Sequence, residues 1–446
     1  MTEGAIPQHL IRYAVPLVMS NMFQLTYNAV DSIVVGRFVG KEALAAVGTS
    51  GPVMNLFVLG ISGVCVGASV IMSEFFGAGD LRNVRREMMT TMVFGAAASV
   101  MVCLVTWLLM PLLLKLLMVP EAVYGIASDY LKIVLTGIPL TFLYNAAAYT
   151  LKSMGDSRTP LVLLAISCVL NGILDALLVG VFRLGVVYSA VATVIAQLLS
   201  CVLSLGYIVL RLPELRPHRE DWKPDRVLLF RTLRYGGVTA LQQACQPIGK
   251  LLIQGAVNSL GVDAMACFNA VGRLDDYACL PEQSISNAIS TFLAQNRGAR
   301  HFRRIYEGFR TGFSMELIYG VLIGIATLLL RRPVMLLFMD ASQSAVVDMG
   351  MQYLLWMSAF YILPGMTNGV QGYFRGTGQM HITLLATLTQ ISIRVIFVFL
   401  LIAPMGIPGI AVASAAGWLA MLAWEMPKAW KELAVWGNDK EAIARR

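Results

Sequence analysis

Charge is scarce in this sequence. Only 13% of the 446 residues are Asp, Glu, Lys or Arg, about half the roughly 25% of a soluble domain. That excludes a soluble enzyme, a disordered tail protein and a nucleic-acid-binding module. The net charge of +8 does not restore the last reading, because the basic residues sit in short clusters between apolar runs, as beside anionic lipid. Histidine is rare too. The four, at positions 9, 218, 301 and 381, all fall near loops and none pair at ligand spacing. The seven cysteines lie in apolar stretches without a CxxC, so they read as small buried hydrophobes rather than metal ligands or disulfides. No GxxxxGK phosphate loop is present, which removes an ATP-driven pump. No HExxH, GxSxG or intramembrane histidine is present either, so a membrane-embedded enzyme has neither metal site nor nucleophile. Met1 to Gln8 is polar and the run after it is too long for a cleavable signal peptide.

What is there is apolar. Hydrophobic residues make up 57% and the mean hydropathy is +0.70, too much to hide in one soluble core. About twelve segments of membrane-crossing length follow from the Gly, Pro and charge punctuation. They run 12–39, 44–73, 87–114, 122–151, 160–181, 186–210, 232–258, 262–294, 306–330, 345–374, 381–402 and 408–430. Lipid leaves the backbone no partner but itself, so each should be a helix. The expected class is an all-α integral membrane protein. One long polar connector, Arg211–Arg234, carries three prolines and halves the chain. The expected organisation is a six-helix lobe over 1–210, a cytoplasmic linker over 211–234, a second six-helix lobe over 235–434 and a cytoplasmic tail over 435–446.

With the N-terminus inside, the clusters around Arg82, Arg85 and Arg86, the linker, Arg297 to Arg310 and Lys428 to Arg446 all fall on the inner side. Only Arg37, Lys41, Lys115, Arg183, Arg331 and Arg332 fall outside. That bias predicts both termini in the cytoplasm. The halves also repeat. Gly40 pairs with Gly261, Glu74 with Gln295, Arg82 with Arg303 and Gly185 with Gly406 at one offset. With two residues more, Asn145 pairs with Asn368 and Gly155 with Gly378. Six helices per half make the repeat parallel, a layout found in transporters.

Ionisable groups inside a span are costly and therefore candidates for function. The first segment carries Asn21, Gln24, Tyr27, Asn28 and Asp31, and alternating spacings of three and four put the polar residues on one stripe. A polar packing seam gives the same pattern, but a carboxylate serves packing poorly. The fifth segment carries Asn171 and Asp175, four apart, and the sixth carries Thr193. Counted from the outer helix ends, Asp31, Asp175 and Thr193 share a depth of about 10 Å at 1.5 Å per residue. Such an all-oxygen set suits a sodium ion, or a proton held between two acids.

The run NAVDSIVVGRFVG (Asn28–Gly40), NGILD (Asn171–Asp175), AVATVI (Ala190–Ile195), Pro16, Pro281 and QNRGA (Gln295–Ala299) resemble the multidrug and toxic compound extrusion family over essentially the whole chain. Asp31 with the Asn-x-x-x-Asp of the fifth helix is similar to its DinF-like branch. The resemblance implies that Asp31, Asn171, Asp175 and Thr193 form the cation or proton site, and that Gln24, Tyr27 and Asn145 line a drug cavity beside Asn28. It makes Pro16 a bend in the first helix, although an ordinary N-terminal proline reads equally well there. The chain departs from the NorM-like branch, which has an acid in the seventh helix. Lys250 stands near that place, which argues against a second-lobe sodium site.

The expected function is a secondary antiporter, not an enzyme, exporting amphipathic organic compounds against protons or sodium by alternating access. No cofactor is expected beyond the coupling ion. The expected partners are small organic substrates and the lipid bilayer of the plasma (inner) membrane, with no nucleic acid, and a monomer is expected. A flippase for lipid-linked precursors is the nearest rival. The second lobe adds a charged cluster. Lys250 and Arg394 fall at the depth of the first lobe's acids, and Asp275, Asp276 and Glu282, with Arg273 beside them, are their expected partners. Either an ion-pair network or a pocket for a carboxylate-bearing substrate fits that set.

Overall fold

The computed structural model describes residues 1–38, 41–116, 119, 121–223, 225–339 and 342–437; of 27–38, 41–52, 116 and 122 it describes the backbone alone. Among the described residues the chain is helical and contains no strand. The helices are α1 (Ile6–Phe38), α2 (Lys41–Gly77), α3 (Leu81–Leu108), α4 (Met110–Leu116), α5 (Glu121–Thr136), α6 (Ile138–Ser153), α7 (Arg158–Asp175) and α8 (Val186–Arg211). They continue as α9 (Arg226–Asn258), α10 (Val262–Gly298), α11 (Phe302–Leu336), α12 (Ser344–Phe360), α13 (Ile362–Gly376), α14 (Met380–Met405) and α15 (Ile407–Gly437).

These fifteen make the twelve expected spans once three are seen to be broken. The third breaks at Leu109, the fourth at Gly137 and the tenth at Tyr361, where α12 and α13 are bent by 47°. A proline follows each break, at Pro111, Pro139 and Pro364, and removes the donor that would have carried the helix through. Among the described residues eight spans are long and apolar enough to cross a membrane, or nine with the bent pair. Helices α9 and α10 have the length but are diluted by Gln242, Gln243, Gln246, Lys250, Arg273, Asp275, Asp276 and Glu282. Polar side chains in a span belong on its protein-facing side.

Helix α7 shows the inverted logic of a membrane helix. Its buried face is Leu163, Ser167, Asn171 and Asp175, one residue per turn, while Val162, Ile166, Val169 and Ile173 are exposed. Water would reverse that arrangement; acyl chains permit it.

The chain divides into two compact units, one of Pro16–Ala240 and one of Met1–Val15 with Leu241–Arg446. The division differs from the expected one at 210 and 235 for two reasons. The expected linker is partly helix, since α9 already starts at Arg226. Its acids and the first turns of α9 are also bonded into the first unit, through Arg85 to Asp221 and Arg86 to Asp225, each at 2.7 Å. The first helix is split likewise. Helix α1 is continuous through Pro16, yet its start belongs to the second unit, where Tyr13 Oη meets Thr291 Oγ1 at 3.1 Å. Arg304 donates to the carbonyls of Met1 and Gly4, and burial beside that guanidinium holds the Met1 amine below its usual range.

Within the first unit the core is formed by Cys65, Ala68 and Met72 of α2, Met88 and Met92 of α3, and Phe142 and Ala146 of α6. In the second it is formed by Phe268 and Val271 of α10, Tyr353 and Met357 of α12, and Ile410 and Ala413 of α15. The sequence repeat reappears in the backbone. Gly155 and Gly378, and Gly185 and Gly406, have positive φ, as do Gly79 and its register partner Arg300. Gly40, the partner of Gly261, lies outside the described residues. So does 438–446, most of the expected tail.

Candidate functional site

In the first unit, Asn171 and Asp175 stand one turn apart on the buried face of α7, each only 1% exposed. Directly after Asp175 the helix widens into a π turn, Ala176–Val181, a feature often found at functional sites. The chain then turns at Gly185, whose φ of 95° is glycine territory, so that α8 returns beside α7. That return brings Thr193 opposite Asn171. The Asn171 amide donates to Thr193 Oγ1 at 3.5 Å, and Thr193 donates to Ser189 O at 3.1 Å. Asn171 Oδ1 accepts nothing among the described residues. A carboxyl, an amide oxygen and a hydroxyl thus lie where α7 and α8 face each other, Asp175 and Asn171 buried and Thr193 half-buried. Their chemistry suits a hard monovalent cation or a bound proton.

Asp31, Tyr27 and Asn28 lie on α1, but their side chains fall outside the described residues. Gln24 is exposed, and Asn145 is half-buried with its amide donated to Thr141 O of its own helix at 2.8 Å. Gln197 was not singled out in the sequence, although it lies one turn beyond Thr193. It fills the break at Gly137, where an added Cβ would fall 1.8 Å from Gln197 Oε1.

The second-lobe charged cluster forms only in part. Lys250 Nζ meets Asp276 at 3.2 Å, with both side chains more than half exposed. Asp275 is bound by hydroxyls instead. Tyr353 and Tyr361 each donate to it at 2.6 Å. Arg394 lies within electrostatic reach of Asp275, but its Nε has no partner among the described residues. Arg273 is exposed. The expectation for Glu282 is corrected. It is 0% exposed and pairs with none of these cations, because it sits nearly two turns further along α10, turned toward α13.

Deeper in the same unit is a polar network that spacing did not reveal. Gln242 donates to Gln371 Oε1 at 2.8 Å and to Thr387 at 3.0 Å, Thr383 donates back to Gln242 Oε1 at 3.1 Å, and Gln371 donates to Glu425 at 3.0 Å. Glu316 and Glu425, both 0% exposed, each stand alone in an apolar run. Their cost in a span was the available signal.

The MatE family profile matches this chain twice, over residues 16–177 and 239–400. The two matches restate the repeat. The chain is 28% identical over 381 residues to the probable multidrug resistance protein YpnP of Bacillus subtilis, covering 85% of this chain and 84% of that one. It is 25% identical over 371 residues to an FAD transporter of Shewanella oneidensis, covering 81% of this chain and 79% of that one. An outward-facing multidrug resistance MATE family transporter of the MOP superfamily shares its fold, with a TM-score of 0.90 over 97% of both chains at 18% identity. Two copies of one family pattern, a repeated set of helix-ending turns and polar residues buried inside apolar helices make this chain a member of the MatE family of multi-pass membrane transporters.

Proposed function

We propose that the protein is a secondary antiporter that exports amphipathic organic compounds from the cytoplasm across the plasma (inner) membrane, driven by inward movement of protons or sodium. The observation that carries this reading is the pocket of Asn171, Asp175 and Thr193, a buried carboxyl with an amide oxygen and a hydroxyl beside it inside a span. A buried carboxyl is tolerable when it is paired with a cation or protonated, and intolerable in between. Occupancy by the coupling ion therefore changes the energy of this part of the first unit, as a coupling site requires. Asp31, on α1, is the second acid of the set. The names of relatives support a drug-like substrate, and Arg12 near one end of the chain with Lys428, Lys431, Lys440, Arg445 and Arg446 near the other support cytoplasmic termini.

The experiment is uptake of a fluorescent amphipathic dye from the medium into inside-out vesicles, under an imposed proton gradient or an imposed sodium gradient. Accumulation driven by one gradient and collapsed by the matching ionophore is the expected result. Accumulation under neither, with movement of a lipid-linked sugar instead, overturns the reading in favour of a flippase.

A further inference from the structure

We infer that Glu282 of α10 and Glu316 of α11 form a second proton-binding pair, inside the second unit and separate from the Asn171, Asp175 and Thr193 pocket. The inference extends the antiporter reading but can be tested without it.

Both carboxyls are 0% exposed, and neither has an ion-pair partner in contact among the described residues. The two meet the same face of α13, one turn apart. An added Cβ on Gly365 would lie 3.0 Å from the Glu316 carbonyl oxygen and 3.6 Å from Glu282 Oε1, and one on Gly369 would lie 3.6 Å from Glu316 Cγ. Two acids packed on one face of α13 in a dry interior disfavour simultaneous ionisation.

The groups around them offset the pair only in part. Asn368 of α13 is the hydrogen-bonding side chain beside Glu282, and its amide also donates to Pro364 O at 3.0 Å. Arg375, also on α13, lies within electrostatic reach of Glu316, but its guanidinium donates to Ser286 at 2.7 Å and Asn287 at 3.2 Å. Tyr319 of α11 donates to Ala278 O at 2.8 Å, and Tyr361 beyond α12 is held by Asp275. On α10 itself Cys279 adjoins Glu282, with Asp275, Asp276 and Arg394 on its far side. On α15, Glu425 is engaged by Gln371.

The repeat shows that these acids are not required by the fold. The register that pairs Gly40 with Gly261 and Arg82 with Arg303 places Ile61 at the position of Glu282 and Gly95 at that of Glu316. The register that pairs Asn145 with Asn368 places Phe142 at Gly365. In the first unit the Phe142 ring occupies the space over Gly95, where an added Cβ would fall 1.8 Å from Cζ. In the second unit large and small have changed places, and a carboxyl fills the space that a phenyl ring fills in the first. Packing alone is met by phenylalanine over glycine. The second unit instead bears the cost of two buried carboxyls with no ion-pair partner, which a transporter recovers if they hold something exchangeable. A proton fits a site with no room for a hydration shell.

Dicyclohexylcarbodiimide tests this directly, because it reacts with protonated carboxyls in apolar surroundings. The acid O–H adds across a C=N bond of the reagent, and the acyl group then migrates to nitrogen to leave a stable N-acylurea. The purified, reconstituted protein is labelled over a pH series, digested and read by mass spectrometry, with no gradient and no substrate. The expected result is an adduct on Glu282 or Glu316 whose rate falls about tenfold per pH unit above the titration point, and a shifted profile on the remaining acid in Glu282→Gln or Glu316→Gln. No adduct on either acid, or a rate indifferent to pH while the protein stays folded, overturns the proposal.

A second variant imports the first unit's own solution, Glu316→Gly with Gly365→Phe. It should fold and should return fewer protons per exported molecule, read with a pH dye inside the vesicles. A proton count equal to that of the wild type overturns the proposal. Failure of the antiporter reading shows itself differently, as a wild type that ignores both gradients.

Discussion

Arg231, in the second turn of α9, donates to the Glu74 carboxylate near the end of α2 at 2.5 Å. The residues around it continue the connection. Thr232 donates to Glu87 of α3, which also accepts from Thr91 at 3.3 Å, and Asp225 accepts from Arg86 at 2.7 Å. The start of α9 is thereby fastened into the first unit while the rest of the helix belongs to the second. The contacts differ in burial, so their removal should differ in effect.

Arg231 and Glu74 are about a quarter to a third exposed. Loss of that pair by Arg231→Ala should cost no more than about 1 kcal/mol. Thr232→Val is nearly isosteric but takes a donor from Glu87, which is 0% exposed. It should cost about 1–3 kcal/mol, and Glu87→Gln should restore part of that loss. Thermal unfolding in detergent, with the double variant included, decides the order. Equal shifts for Arg231→Ala and Thr232→Val would show that burial does not set the values.

The coupling pocket gives a sharper test. Asp175→Asn keeps the shape of the side chain and removes its titration, and Thr193→Val removes the hydroxyl beside Asn171. Asp175→Asn, like Asp31→Asn, should abolish gradient-driven export while binding of the dye and the melting temperature stay near wild type. Thr193→Val should weaken coupling less, because a hydroxyl contributes a dipole where the acid contributes a charge. Both are read from the initial rate of dye export against the size of the imposed gradient. Wild-type rates in both acid variants would remove the pocket from the mechanism.

Helix α2 carries two kinds of glycine. Gly67 packs backbone to backbone on α9, so an added Cβ would fall 2.4 Å from Gly236 N, whereas nothing lies within 4 Å of Gly60. Gly67→Ala should destabilise by about 1–3 kcal/mol through overpacking. Gly60→Ala should be neutral or stabilising by up to about 1 kcal/mol, since alanine loses less entropy in a helix. Side-by-side melting of the two variants is sufficient. A stable Gly67→Ala would mean that α9 can move away from α2 at no cost.

Much of this fold is written in punctuation. Gly185, Gly261 and Gly406 each take a positive φ at a helix boundary, and each was visible as a glycine between apolar runs. Asn171, Asp175 and Thr193 were visible because fixed helical spacing at equal depth needs no knowledge of packing. The breaks at Leu109 and Tyr361 were not, because neither residue is a helix breaker and the prolines act from two or three positions away. The division inside α1 and α9 was hidden too, since it is set by partners such as Thr291 and Glu74 that lie far off in sequence. Glu316 escaped for the same reason. Its significance depends on Gly365 in another helix, and the register of the repeat is what connects them.

The last prediction concerns Lys250 and Asp276. An ion pair more than half exposed within a span must meet water, because acyl chains would not tolerate it. In water such a pair contributes little to stability. Asp275, one residue away, is different. Two tyrosine hydroxyls are fixed on it at 2.6 Å. Asp275→Ala should therefore lower the melting temperature clearly, by leaving both hydroxyls unmatched, and Lys250→Gln should leave it almost unchanged. What Lys250→Gln would remove is a cation able to leave Asp276 for a substrate carboxylate. The variant should export a carboxylate-bearing or zwitterionic drug several-fold more slowly than wild type, and a purely cationic dye at the wild-type rate. Equal losses for both would return Lys250 to a purely structural place beside Asp276, and a drop in melting temperature matching that of Asp275→Ala would do so independently of transport.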